Sequence, residues 1–169
     1  FFRVFRLCVF NPMTLTNPLH KWEEEELDNP IGHMGWLFSL ETHELTVLGN
    51  IRRAEGEDAP WDALRNDIES ASFLEGVESV SDRAFSHCRR LKSVHIPKSV
   101  TSIGREAFSH CTVLESIKIP DSVEFIGYGA LADCKFSSIK IPRSVLSFGG
   151  NPFIHYHRDW FNECWVIEE

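Results

Sequence analysis

The sequence predicts a solenoid: short stacked coils of α/β type, with a parallel sheet along one face and short helical or 3-10 turns on the other. Three observations carry this. Near copies recur: residues 77–98 read VESVSDRAFSHCRRLKSVHIPK, residues 100–121 read VTSIGREAFSHCTVLESIKIPD, and residues 123–143 read VEFIGYGALADCKFSSIKIPR. Val77, Val100 and Val123 are 23 residues apart, as are Cys88, Cys111 and Cys134. A step of this size marks units that bury their apolar faces only against their neighbours. Lastly, each copy holds a three-residue apolar–polar–apolar stretch that stops at a proline.

Residues 1–34 read as an irregular leader. Residues 35–60 read as a β-hairpin lead-in: Trp36 to Leu40, a turn at residues 41–44, then Leu45 to Leu48. The repeat array follows over residues 61–149. Trp61 to Ser70 lead into it, and Ile68, Ala71 and Phe73 precede Leu91, Val94 and Ile96 by 23 residues, which marks a degenerate first coil. Residues 150–169 read as a C-terminal cap coil, in which Tyr156 replaces the cysteine and Trp160 and Trp165 replace smaller apolar residues. A solenoid needs such a cap over its open end.

Within each coil the alternation in Val94-His95-Ile96 and Ile117-Lys118-Ile119 is the period of a half-buried strand. Pro97, Pro120 and Pro142 lack an amide proton and end the ladder. Val100, Ile103, Val123 and Ile126 are expected to pack inward. Gly104 and Gly127 are expected to permit a tight bend. Ala107-Phe108, three residues before Cys111, fit a helical or 3-10 turn. The third copy is one residue short after Cys134.

Five cysteines are present, an odd number. The repeat register places Cys88, Cys111 and Cys134 in one column, where buried free thiols act as small hydrophobes. A zinc site would call for close pairs such as CxxC, and the sequence has none. His87-Cys88 and His110-Cys111 look like nucleophile–base pairs, but adjacent side chains diverge, and a pair that repeats with the coil belongs to the scaffold. His155, His157, Asp159, Glu163 and Cys164 cluster in the cap, where His-x-His on a strand can hold a metal. The bland reading, a loop carrying ordinary polar residues, is preferred. No catalytic residue, cofactor or metal is therefore expected, and the chain is read as a non-enzyme.

The net charge is −8, unevenly spread. Residues 1–60 hold 5 basic and 10 acidic side chains, and residues 77–149 hold 10 and 7, giving −5 and +3. Overall acidity argues against nucleic acid. No stretch approaches the roughly 20 apolar residues of a membrane span. The apolar run from Leu7 to Phe10 is too short for a signal peptide.

The motif IPxSVxxIGxxAFxxCxxLxxIxIP, unbroken from Ile96 to Pro120, resembles the BspA-like leucine-rich repeat. The likeness extends over about residues 68–167. It implies a curved leucine-rich-repeat solenoid and a surface-exposed or secreted, adhesin-like protein that binds host or neighbouring-cell ligands, surface or matrix proteins among them. Unpaired thiols fit an intracellular adaptor or effector equally well. A metal-dependent enzyme built on the cap is the third and weakest alternative. The outward residues of the sheet face are the candidate partner site: Ser93, Ser116 and Ser138 in one column, His95, Lys118 and Lys140 in the next, with Lys98 and Arg143 just past the prolines. Such a strip, more basic toward the C-terminal coils, would suit an acidic protein or a sulfated glycan. The expected state is a monomer.

Overall fold

A computed structural model of the chain describes residues 7–8, 35–51, 58–153 and 165–167. Eleven strands occur in it. β1 (Leu7–Cys8), β2 (Trp36–Ser39), β3 (Glu44–Val47), β4 (Ser70–Phe73) and β6 (Ser93–His95) form a five-stranded sheet in the order β1-β2-β3-β4-β6. β5 (Ser79–Val80), β7 (Ser102–Ile103), β8 (Phe125–Ile126) and β10 (Ser147–Phe148) form a second sheet, order β10-β8-β7-β5. β9 (Ile139–Ile141) pairs with β11 (Trp165–Ile167).

The expected hairpin is present, and its place is informative. β2 and β3 pair antiparallel, then β3 pairs parallel with β4 in the register Leu45↔Ala71 and Val47↔Phe73. The hairpin is thus the first rung of the array's own sheet. β1, in the stretch read as an irregular leader, pairs antiparallel with β2. From β3 onward every rung is parallel. Equivalent residues of successive copies face each other: Ser70↔Ser93, Val80↔Ile103 and Ile103↔Ile126.

The second sheet was not foreseen. The spacing places Ile103 and Ile126 inward but does not assign them to strands. Each second-sheet strand has only two residues, too few for alternation to show. Gly104 and Gly127 follow this sheet, and their role differs from the bend expected of them. Neither has a positive φ. A Cβ on Gly127 would lie 2.5 Å from the Arg105 amide nitrogen, and one on Gly104 2.6 Å from that of Asp82. Glycine is needed so that neighbouring coils can approach, since no real Cβ sits that close to backbone.

The third face consists of turns where helical or 3-10 turns were expected. Among the described residues the one helical turn is the 3-10 helix Asp62–Leu64 in the degenerate first coil. The backbone donors explain the difference. In the first full copy, the amides of Ala84, Ser86 and Cys88 donate locally, to the carbonyls of Ser81, Arg83 and Phe85. Those of Arg83, Phe85 and His87 donate across to Arg105, Ala107 and Ser109 of the next coil, at 2.7–2.8 Å. The next copy repeats the pattern: Glu106, Phe108 and His110 donate to Tyr128, Ala130 and Ala132. Alternate amides thus serve the turn and the neighbouring coil, so every donor named is paired and no helix propagates. The alternation calls for left-handed backbone at Arg83, His87, Glu106, His110 and Asp133, with φ between 52° and 61°. Among non-glycine residues, His and Asp tolerate that region better than most.

The core is continuous from Trp36 to Phe153. Leu91, Ile96, Val100, Ile103, Phe108, Leu114, Ile117, Ile119, Val123, Ile126, Ile139 and Ile141 are all buried, as their shared register predicts. Val94 is only half-buried and packs at the core's margin. An aromatic column runs along the turn face. Trp61 and Phe85 rings lie 5.5 Å apart, and Phe85 and Phe108 stack at 5.5 Å and 9°. Phe136 is buried although its copy is one residue short.

Candidate functional site

The first sheet's outward face positions the candidate residues. β6 and β9 are three-residue segments, and a buried proline follows each within two residues. The carbonyls of Pro97, Pro120 and Pro142 accept the amides of Val100, Val123 and Val145, turning each coil away from the sheet at the same point. Side chains between the inward positions therefore point out: Ser93, His95, Lys98, Ser116, Lys118, Ser138, Lys140 and Arg143 are all exposed. Ser72↔His95 are register partners, so the second outward column begins as the sequence indicates.

The column is not uniformly laddered. Residues 115–119 form no strand, so the sheet is interrupted between β6 and β9. This break faces the coil that is one residue short. There the Lys135 amide reaches back to the Leu114 carbonyl at 3.0 Å, whereas Lys92 in the first full copy reaches Glu69. Lys118 and Ser116 therefore lie on the face without belonging to a strand.

Electrostatics grade along the face. At the N-terminal end Ser72 donates to Glu44 at 2.9 Å and lies 3.3 Å from the Thr46 hydroxyl, so its polar capacity is spent internally. Beside it Glu69 is paired with Arg90 and Lys92, and the Lys92 hydrogen bond holds its carboxyl below the usual range. Lys135 does the same to Glu115. Toward the C-terminal coils the outward residues become Lys118, Lys140 and Arg143, with Asp121 between the basic positions next to the prolines.

A second exposed surface escaped the sequence reading. Phe125, Tyr128, Leu146 and Phe148 are exposed on the last two rungs of the second sheet. A shallow groove there is lined by Asp82, Arg105, Phe125, Gly127, Tyr128 and Gly149, with the Arg105 guanidinium 5.6 Å over the Tyr128 ring. Phe148 shares the register of buried Ile126 yet is 38% exposed, because it lies at the end of the stack. The only signal in the sequence was the aromatic Phe125 where the other copies have serine.

The cysteine column matches expectation. Cys88, Cys111 and Cys134 are free and buried. Cys111 and Cys134 donate to the Phe85 and Phe108 carbonyls at 3.2 Å. Burial pushes the Cys88 thiol up to about 12 and that of Cys111 well above its usual value. Thiols held neutral in this way are poor nucleophiles and poor ligands. Another serine column was missed: Ser99, Ser122 and Ser144 donate to the carbonyls of Val77, Val100 and Val123 at 2.7–2.8 Å. The recurring Ser-Val after each proline was the available clue.

Among the described residues no group of three or more His, Cys, Asp or Glu is arranged to hold a metal. The cap cluster His155, His157, Asp159, Glu163 and Cys164 lies outside the described residues. No helix among the described residues is long and apolar enough to cross a membrane.

Residues 65–158 match the BspA type leucine rich repeat region, in six copies. The chain is similar in structure to a leucine-rich repeat protein from Eubacterium ventriosum: TM-score 0.55, 21% identity, 67% of this chain and 37% of that one covered. A leucine-rich repeat protein from Bacteroides ovatus gives 0.50 at 25% identity, covering 68% and 33%. The leucine-rich repeat protein of T. pallidum gives 0.50 at 18% identity, covering 70% and 62%. The chain thus spans about a third of the first two structures and less than two thirds of the third. No curated protein matches it. With the copies in register, the proline stops, the cysteine column and a family match over more than half its length, the chain belongs to the BspA-type leucine-rich repeat family.

Proposed function

We propose that the protein is a non-enzymatic interaction module whose first-sheet face docks an acidic protein partner at a cell surface or in the extracellular space. The observation that supports this is the exposed strip Ser93, His95, Lys98, Ser116, Lys118, Ser138, Lys140 and Arg143, held on a scaffold whose core is closed behind it. A rigid face loses little conformational freedom on docking, so a few desolvated anchors can supply most of the affinity. The strip is basic on a chain of net charge −8, a local contrast that raises the encounter rate with an acidic surface. A sulfated glycan shares that chemistry. The surface location rests on the family resemblance, which implies surface-exposed or secreted proteins.

The test is charge reversal. Lys118→Glu with Lys140→Glu is expected to leave the thermal transition unchanged, since both side chains are exposed. It should abolish salt-sensitive retention on a sulfated polysaccharide resin and on an immobilised acidic protein. Retention should also weaken for the native protein as salt rises, because exposed charges are screened beyond roughly 8 Å at physiological ionic strength. Undiminished retention of the doubly reversed protein would overturn the sheet-face assignment.

A further inference from the structure

The turn face carries a column that the binding reading does not use. His87 and His110 occupy equivalent positions of successive copies, both with left-handed backbone. Their rings stack at 4.4 Å and 12°. The next copy has Asp133 at that position, also left-handed, and its Oδ2 lies 3.1 Å from His110 Nδ1. The backbone beneath joins the same coils: the His87 amide donates to the Ser109 carbonyl and the His110 amide to Ala132, each at 2.8 Å. Ser86 and Ser109 hydroxyls, 2.9 Å apart, flank the stack.

We propose that His87, His110 and Asp133 form a pH-sensitive clasp that holds consecutive coils together when His87 is neutral and loosens in acid. A proton on His110 gives that ring a charge that the Asp133 carboxylate, 3.1 Å away, can pair. A second proton on His87 would then place like charges on two stacked rings. Neutral His87 can stack on a charged His110, but two imidazolium rings at this separation repel. The surrounding groups act the same way. Burial and the charges of His110, Arg89 and Arg65 disfavour the cation on His87, and Glu106 alone opposes them. The sign follows from linkage. His87 is held below its ordinary value of 6.5, so the unfolded or opened chain takes up the proton first as pH falls. The stabilisation is complete above that value and is lost as pH falls through it toward the lower folded value.

Backbone amide exchange in the full chain tests this. Protection factors for the His87 and His110 amides, corrected for intrinsic exchange, should fall about tenfold or more between about pH 7.5 and about pH 5, while those of the second-sheet amides should hold. His87→Asn keeps a residue that tolerates the left-handed region and removes the titration. It should make protection at the His110 amide independent of pH over that range. Wild-type protection that does not change with pH, or an equal acid loss in His87→Asn, would overturn the clasp. Should His87→Asn fail to fold, Asp133→Asn decides. Removing the carboxylate takes away the counter-charge facing a charged His110 ring, so the acid loss of protection should deepen, and an unchanged loss would overturn the proposal.

Discussion

The two sheets come from the same repeats, yet one runs unbroken and the other does not. The second sheet has four consecutive parallel rungs, with Val80, Ile103 and Ile126 fully buried behind it. The first sheet breaks at residues 115–119, and its Val94 is only half-buried. The cause lies in what each side must accommodate. Along the second sheet the coils approach so closely that Gly104 and Gly127 admit no side chain, and the adjoining turn face gives alternate amides to the neighbouring coil. Those contacts fix rung spacing and leave little room for change. The first sheet meets no such limit. That side of the stack absorbs a one-residue deletion after Cys134, and its outward residues run from Glu44 through serines to the lysines that follow the break. One side sets the stack, and the other is free to vary in charge.

If that division is right, damage on the scaffold side should far exceed damage on the face. The largest effect is expected from Phe108→Ala. Phe108 is fully buried and stacked on Phe85, and removing it leaves a cavity between coils that cannot close. The expected loss is about 3–5 kcal/mol by denaturant unfolding. Gly127→Ala comes next. Its new methyl group would press on the Arg105 backbone, which cannot move without shifting a coil, and the expected loss is about 1–3 kcal/mol. Gly49→Ala is the control: nothing lies within 4 Å of its Cβ position, so the change should stay within about 0.5 kcal/mol. Equal losses at Gly127 and Gly49 would break the comparison.

The thiols report whether the stack opens as one body. Cys88, Cys111 and Cys134 lie behind the turn face, and burial keeps the thiols of Cys88 and Cys111 neutral. A thiol reagent should leave these three unmodified in the native protein and label them only at the rate of unfolding. Rapid native labelling of Cys111 would show that coils separate without global unfolding.

Much of this was legible beforehand because a repeat states each position three times. Ile117, Ile119, Ile139 and Ile141 were placed in the core by register alone, and so was the cysteine column. What escaped notice depends on contacts between coils, which periodicity within a copy does not encode. Gly104 looks like a bend residue until the Asp82 backbone is found beside it. The segment around Phe108 has the spacing of a helical turn, but left-handed Glu106 and His110 divert alternate amides to the next coil. The exposed face was legible as a set of outward positions. Its break at Lys118 was not, because the deletion that faces it lies in a different copy.

The smallest effect separates two serine columns that the sequence presents alike. Ser116 is exposed on the first-sheet face, whereas Ser122 is half-buried and donates to the Val100 carbonyl at 2.7 Å. Ser99 and Ser144 make the same bond one coil away on either side. Each hydroxyl therefore satisfies a carbonyl of the preceding coil next to the proline turn. Ser122→Ala removes that donor and should cost about 1 kcal/mol, the net value of a typical intramolecular hydrogen bond. Ser116→Ala should fall within about 0.5 kcal/mol, as surface changes do. On the binding side the order should reverse: Ser116→Ala is expected to weaken retention on an acidic ligand and Ser122→Ala to leave it unchanged. Stability and binding measured side by side on the two variants would show whether scaffold and face are separable one residue at a time, and a shared loss in both assays would mean that they are not.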